Sequence, residues 1–190
     1  VHNPEIQSVN TGIVILGVDG GLVENINFSN ITMTDVLSPI FIRVGRRFVA
    51  PDGKPSVMRH IYIQNVRAES RSVLPSVVAG LTESPVEDVQ LSNIRISVPI
   101  AVDTDLFKTF PNSVPEDLKG YPENRLTFGT RMPAATFYVR HAKGITMSDV
   151  SVSYPETEAR PAVVADDVKG IRLKNLFIND RKSSKNPKLL

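Results

Sequence analysis

Apolar and polar residues alternate along much of this chain with a period of two, not with the 3.6-residue period of a helix. The alternation is clearest in an eleven-residue phrase that occurs five times, at 23–33 (VENINFSNITM), 58–68 (MRHIYIQNVRA), 86–96 (VEDVQLSNIRI), 142–152 (AKGITMSDVSV) and 168–178 (VKGIRLKNLFI). Residues such as Ile26 and Phe28 then share one side of an extended strand, with polar residues on the other. The phrase predicts half-buried β-strands.

Each phrase carries an amide or carboxylate residue at one constant position, directly before a second apolar stretch: Asn30, Asn65, Asn93, Asp149 and Asn175. Asn and Asp are the non-glycine residues that best tolerate a left-handed backbone, so the repetition predicts a stack of identical bends. A row of ligand-binding amides is the alternative. A second turn position is shared by Asn25, His60, Asp88, Gly144 and Gly170. We therefore interpret His60 as a turn residue and not as a catalytic base.

A third apolar segment recurs in a constant relation to the phrases: GIVIL at 12–16, PIFIR at 39–43, SVVAG at 76–80, TFYVR at 136–140 and AVVAD at 162–166. Three short strands per turn, with turns about 26 to 28 residues apart where no loop intervenes, describe coils that stack on one another. The sequence therefore predicts an all-β fold, a right-handed single-stranded parallel β-helix of about five coils, over residues 1–180.

Two stretches interrupt the repeat, a modest loop at 44–56 and a long excursion at 101–134. Long loops without regular structure in a compact domain tend to be functional or disordered, and we expect the excursion to form a wall of a binding groove. The basic ending, residues 181–190, is expected to be a frayed tail. No linker separates a second domain, so a single domain is predicted.

Composition narrows the classes of function. Lys and Arg total 22 against 20 Asp and Glu, which gives no general attraction to nucleic acid or to an anionic membrane. Cys is absent, which excludes disulfides and thiolate metal sites, and no apolar run approaches the ~20 residues that span a bilayer. The histidines His2, His60 and His141 are scattered. We expect no metal site and no cofactor.

The segments GIVILGVDGGLVENINFSNITMTDVLSPIFIRVGRR (12–47) and YPENRLTFGTRMPAATFYVRHAKGITMSDVSVSY (121–154) resemble the bacterial branch of the polygalacturonase-like glycoside hydrolases, family 28. The resemblance covers nearly the whole chain. It implies that the chain is the C-terminal part of a β-helix and that a pectic polysaccharide or oligosaccharide is the bound partner. It also implies hydrolysis of O-glycosidic bonds by an Asp acid/base pair and a secreted or periplasmic location.

In that family the carboxylates lie on an Asn-Thr-Asp motif and a following Asp-Asp pair, a Gly-His-Gly motif contributes a histidine, and an Arg-Ile-Lys strand binds the substrate carboxylate. Only the last has a counterpart here, where Val14 and Leu16 replace the two cations. The Asp-Asp at 166–167 falls in the final coil, far after the family's pair. We therefore expect no catalytic residue in this chain, place the pair upstream of Val1, and interpret Asp19 as a turn residue.

Alternation on the third segments assigns ten residues to an outer, exposed face: Val14, Leu16, Phe41, Arg43, Val78, Gly80, Tyr138, Arg140, Val164 and Asp166. An aromatic ring can stack on a sugar, and an arginine can bind a carboxylate through two hydrogen bonds. The predicted substrate-binding residues are accordingly Phe41, Arg43, Tyr138 and Arg140, with Gly80 between the two pairs. Alternatively, these residues pack under the long excursion and both arginines pair with its acidic residues.

Several polar residues flank this predicted face. His141, directly after Arg140, is expected to be a solvated edge residue, and Arg46 and Arg47 would extend a positive patch near Arg43. The leading function is a pectin-degrading glycosidase whose catalytic coils lie upstream, so that the chain alone would be inactive. The alternative is a non-catalytic acidic-glycan-binding or structural β-helix. A lyase ranks last, because no cluster of carboxylates suits Ca²⁺.

Overall fold

The computed structural model describes residues 3–48, 50–183 and 188–190. Within these ranges the regular secondary structure is almost entirely strand, with two five-residue helices in the long excursion. The elements are β1 Glu5–Gln7, β2 Thr11–Gly17, β3 Leu22–Val36, β4 Ser38–Val44, β5 Val57–Ser70, β6 Ser76–Ala79, β7 Val86–Ser97, α1 Thr104–Lys108, α2 Asn124–Phe128, β8 Phe137–Ser153, β9 Val163–Ile178, β10 Arg181–Lys182 and β11 Lys188–Leu189.

Strands of successive coils pair in parallel and divide the coil into three faces. Face A contains β2, β4, β6 and the first residues of β8 and β9, which are 11–17, 38–44, 76–79, 137–140 and 163–166. Face B contains 22–29, 57–64, 86–92, 142–148 and 168–174. Face C contains β1 and the ends of the long strands. This arrangement confirms the predicted all-β parallel β-helix.

Residues with a left-handed backbone form the corners between faces. The φ angle is 59° at Asn30, 55° at Asn65, 50° at Asn93, 55° at Asp149 and 55° at Asn175, which confirms the predicted stack of bends between faces B and C. The amides also form a ladder, because Nδ2 of Asn65 donates to Oδ1 of Asn30 at 3.0 Å and Nδ2 of Asn93 donates to Oδ1 of Asn65 at 2.9 Å. The second turn series has positive φ as well, including 56° at His60, so its structural role is confirmed.

The core lies inside the coil, where equivalent residues of successive coils stack. One row runs through Ile26, Ile61, Val89, Ile145 and Ile171. A single coil cannot bury its apolar side chains alone, so each coil depends on its neighbours. Ile61, Val89 and Ile145 in the middle of the stack are completely buried. The alternation of the repeat therefore places the core residues as predicted.

The long excursion packs on the outer side of face A and creates a second apolar layer. Phe41, Val77 and Tyr138 of face A contact Phe128 and Met132 of the excursion in one buried cluster. The prediction that this excursion forms a wall beside an open groove is wrong. The outer side of face A is largely apolar, and covering it removes that surface from water.

The outward residues of β6 differ by one position from the prediction. Val77 pairs with Phe41 and Tyr138 and faces outward with them, whereas Val78 lies in the inner core. Ala79, and not Gly80, lies between the two arginines. A shift of one residue exchanges the two sides of a strand, and the segment SVVAG contains no polar residue after its first position to reveal its phase.

The C-terminal residues are more ordered than predicted. Strand β10 pairs antiparallel with the end of β9, and β11 pairs in parallel with the start of β9. The prediction of a frayed tail over 181–190 is therefore wrong for these two short strands, while residues 184–187 lie outside the described residues.

Candidate functional site

The outer side of face A holds the four residues predicted to bind substrate. Phe41 and Tyr138 are completely buried. The ring of Phe128 in α2 lies 6.0 Å from that of Tyr138 in an edge-to-face arrangement. The prediction that these aromatic residues are exposed is wrong, because the excursion covers them.

Arg43 is also fully buried beneath the excursion. Its Nη1 donates to Oε1 of Glu116 at 2.7 Å, and its Nη2 donates to the carbonyl oxygen of Asp117 at 2.8 Å. Its guanidinium carbon lies 5.2 Å from the centre of the Phe128 ring. Burial lowers the pKa of Arg43, and the Glu116 carboxylate opposes that shift. The predicted exposure of Arg43 is wrong, and the alternative of pairing with an acidic loop residue is what the structure shows.

Arg140 retains partial access to solvent, with 21% of its side chain exposed. It lies 3.5 Å from Oε2 of Glu116 and 3.5 Å from Oδ2 of Asp166, and its Nη1 donates to the carbonyl oxygen of Val114 at 3.1 Å. Glu116 therefore bridges Arg43 and Arg140. Of the four predicted residues, Arg140 is the one whose side chain can reach a ligand.

His141 follows Arg140 and is a structured residue, not the solvated residue expected from the sequence. Its Nδ1 lies 2.8 Å from Oδ2 of Asp167, and its Nε2 accepts from Nε of Arg140 at 3.2 Å. Because an arginine Nε–H can only donate, Nε2 of His141 must carry the lone pair and Nδ1 must donate to Asp167. The sequence contained a signal for this contact. The pair Arg140-His141 stands one coil before the pair Asp166-Asp167 and in the same register, so basic and acidic residues lie side by side.

The adjacent carboxylates Asp166 and Asp167 have separate protein partners. Asp166 accepts a hydrogen bond from the Tyr138 hydroxyl at 2.6 Å. Burial raises the pKa of Tyr138, and the bond to Asp166 raises it further. The hydrogen bond from His141 lowers the pKa of Asp167. This arrangement anchors the last coil to its neighbour.

The arginines expected to form a positive patch are paired with carboxylates. Arg46 Nη2 donates to Oε1 of Glu83 at 2.5 Å, and Arg47 donates to both carboxylate oxygens of Asp19. Asp19 is thus an ion-pair partner as well as a residue of the turn after β2. The corner between faces A and B is locally close to neutral.

Over 3–48, 50–183 and 188–190 no three His, Asp or Glu side chains are grouped so that they could hold a metal ion. His2 lies outside the described residues. No helix among the described residues is long and apolar enough to cross a membrane.

The fold defines this chain as a parallel β-helix whose face A is covered by a loop. Comparison with known families gives the more specific identification: residues 1–112 match glycosyl hydrolases family 28. Because the match covers more than half of the chain, the chain belongs to glycosyl hydrolases family 28, a family of glycoside hydrolases. A search of curated proteins found no match, and neither did a search of solved structures.

Proposed function

We propose that this chain forms C-terminal coils of a polygalacturonase- or rhamnogalacturonase-like enzyme that hydrolyses pectic polysaccharide, in a secreted or periplasmic setting. The family match over residues 1–112 carries this proposal. The parallel β-helix supports it, because its stacked coils present the extended surface on which a polysaccharide chain can lie.

The proposed acid/base pair lies in coils that would stack before β2. An inverting glycosidase needs two carboxyl groups about 6.5 to 9.5 Å apart, with room for a water molecule. The carboxylates near face A are instead engaged by protein groups, Glu116 by Arg43 and Asp166 by Tyr138. In this proposal the described coils contribute packing and substrate contacts, and other coils contribute the chemistry.

Release of reducing ends from polygalacturonan and rhamnogalacturonan tests this proposal. We expect no release by these 190 residues alone, and release by a longer natural form that contains the upstream coils. Turnover by the purified 190-residue chain would contradict the upstream location, and Asp19, Asp166 and Asp167 would then be the first residues to replace. Failure of the longer form to cleave either polymer would contradict the hydrolase itself.

A non-catalytic acidic-glycan-binding β-helix is the second candidate. It is favoured by the engagement of Glu116, Asp166 and Asp167 in contacts within the protein. Affinity gel electrophoresis, run beside the reducing-end assay, separates the two functions, because a binding protein is retarded by pectic chains in the gel but releases no reducing ends.

Arg140 is proposed to contact an acidic sugar, whereas Arg43 supports the excursion from below. Arg140→Gln should weaken binding of oligogalacturonate. The difference in affinity between wild type and variant should decrease as salt is added, because interactions between exposed charges are screened beyond about 10 Å at 0.1 M salt. Arg43→Gln should instead lower the free energy of unfolding by about 3 to 5 kcal/mol, because Glu116 loses its buried partner.

Titration calorimetry and urea unfolding of both variants measure these two effects separately. If Arg140→Gln binds oligogalacturonate as tightly as the wild type does, Arg140 has only a structural role. Unchanged stability in Arg43→Gln would contradict the buried ion pair.

A further inference from the structure

Three segments meet at the corner between faces A and B and form a cluster that the proposed hydrolysis does not use. Asp19 comes from the turn after β2, Arg47 and Phe48 from the loop after β4, and Tyr121 from the excursion. The guanidinium carbon of Arg47 lies 5.0 Å from the centre of the Phe48 ring and 4.6 Å from that of Tyr121. We call these four residues the aromatic platform.

Both rings of the platform are open to solvent. Phe48 is 65% exposed and Tyr121 is 43% exposed, whereas Phe41, Phe128 and Phe137 are buried. Exposing a phenylalanine ring to water is unfavourable, and both rings flank the guanidinium group of Arg47, so a ligand that packs on them would cover apolar surface. The platform therefore has the surface properties of a binding site.

Backbone contacts hold the three segments together without any ligand. The amide of Arg47 donates to the carbonyl oxygen of Val18 at 2.8 Å, and that of Arg46 donates to the carbonyl oxygen of Leu118 at 2.7 Å. Gly20 has a φ of 86°, and a Cβ at this position would lie 2.4 Å from Cβ of Ala50. Only glycine permits this close approach of the turn to the loop. A preorganised platform loses little conformational entropy when it binds.

The charge of the platform is already compensated. Nε of Arg47 donates to Oδ1 of Asp19 at 2.9 Å, and Nη2 donates to Oδ2. The hydrogen bond from Arg47 lowers the pKa of Asp19, which stays ionised at neutral pH. A ligand carboxylate stacked on these rings would lie beside a like charge and would have to displace Asp19 from Arg47. The platform thus disfavours an anionic ring.

We infer that the aromatic platform is a subsite for an uncharged pyranose ring of a glycan. This inference rests on the proposed function, which supplies a pectic glycan as the ligand. It adds which sugar units of that glycan the platform accepts. The C–H face of the sugar packs on Phe48, while its hydroxyl groups hydrogen-bond to the exposed edges of Asp19 and Arg47. Within a pectic chain such a unit is a neutral sugar or a galacturonate whose carboxyl group is methyl-esterified.

Tetragalacturonate and its methyl ester provide a matched pair of probes, because they share their rings and linkages and differ in charge. The titration uses the Arg140→Gln variant, which lacks the proposed contact with an acidic sugar. This variant should bind the ester more tightly than the acid, and its affinity for the ester should not change between about 0.05 M and about 0.5 M salt. Phe48→Ala should weaken binding of the ester by about tenfold through the lost stacking. Leu106→Ala, which removes an exposed apolar side chain from α1, is the control and should bind the ester like the wild type.

In the same Arg140→Gln background, Asp19→Asn tests the charge argument by leaving Arg47 uncompensated. This variant should reverse the preference, so that the acid binds more tightly than the ester and its affinity falls with salt. Ester binding that is unchanged by Phe48→Ala, or tighter binding of the acid than of the ester by the Arg140→Gln variant, would overturn the inference. If the ester binds through Phe48 but a longer natural form cleaves no pectic polymer, the subsite stands and the proposed function fails.

Discussion

Individual residues with a left-handed backbone determine where this coil turns. Asn30, Asn65 and Asn93 combine a positive φ with hydrogen bonds between their side chains, one coil to the next. An alanine at such a position would have to adopt a conformation that costs about 1 kcal/mol or more. The ladder therefore contributes to stability, and nothing about it requires a ligand.

Asn93→Ala should lower the free energy of unfolding by about 1 to 2 kcal/mol, because the variant combines backbone strain with the loss of the bond to Asn65. Asn93→Gly relieves the strain and should lose less, which separates the two causes. Urea denaturation measures both variants. Glycan affinity that falls in Asn93→Ala while stability is unchanged would instead favour a row of ligand-binding amides.

A second residue-scale feature is the fully buried ion pair of Glu158 and Arg160. Nε and Nη2 of Arg160 donate to the two carboxylate oxygens at 2.9 and 2.8 Å. Its Nη1 donates to the carbonyl oxygen of Val73 at 2.8 Å and to that of Met132 at 3.3 Å. The pair therefore connects the segment before β9 to the end of the excursion.

Glu158→Gln should lower the free energy of unfolding by about 3 to 5 kcal/mol, since Arg160 would remain buried without its counter-charge. Burial raises the pKa of Glu158, but the hydrogen bonds from Arg160 outweigh it and bring the pKa below its ordinary 4.5. The carboxylate thus contributes stability above the unfolded-state pKa, and that contribution is lost as the pH falls through the folded-state pKa.

Urea unfolding of wild type and Glu158→Gln at a series of pH values measures this effect. The difference between them should be constant above about pH 5 and should shrink as the pH falls below the ordinary carboxyl pKa. The exposed Glu156→Gln is the control and should behave like the wild type. A difference that grows on acidification would mean that Glu158 is already protonated in the native protein.

At the scale of elements, the excursion functions as a cover for face A. Helix α2 places Phe128 over Arg43 and Tyr138, and Asn124 in the same helix donates to the carbonyl oxygen of Pro75 at 2.9 Å. The helices of the excursion are too short to be stable by themselves. The order of α2 must come from this packing.

Phe128→Ala should lower the free energy of unfolding by about 3 to 5 kcal/mol, because it leaves a cavity between the excursion and face A. It should also accelerate amide hydrogen exchange across α2. The exposed Leu126→Ala in the same helix should stay within about 0.5 kcal/mol of the wild type. Equal effects from both variants would show that the excursion is not held by the ring of Phe128.

At the scale of the whole molecule, β2 is the open end of the face A sheet. It pairs with β4 on one edge, and among the described residues no strand pairs with its other edge. An unpaired edge with apolar side chains such as Val14 can pair with another chain. The purified 190-residue chain is therefore expected to self-associate through β2.

Val14→Lys should reduce this self-association, because a charged side chain on an edge strand opposes pairing between chains. The control is Val57→Lys, which removes a similarly exposed valine from β5, a strand paired on both of its edges. Analytical ultracentrifugation measures the species present. Association that is lowered equally in both variants would point to general surface hydrophobicity, and not to the edge of β2.

The sequence by itself determined the coil. The repeat showed the strands, because alternation indicates which side chains point inward. One series of corners was marked by a recurring amide or carboxylate residue, because few residue types accept a positive φ; its members are Asn30, Asn65, Asn93, Asp149 and Asn175. Both signals are local and recur in each coil. The family came instead from the resemblance of segments 12–47 and 121–154 to known glycoside hydrolases, and the match over residues 1–112 confirmed it.

Only the tertiary structure decided which part of the surface is accessible. Phe41 and Arg43 face outward as predicted, yet they are buried because residues about 70 positions later in the chain fold over them, a contact that no local pattern encodes. Which residues of β6 face outward could not be predicted either, because the segment is apolar on both sides of the strand. The pairing of β6 with β4 and β8 shows it. The aromatic platform requires Phe48 and Tyr121 to meet through Arg47, and their separation in sequence gives no sign of that contact.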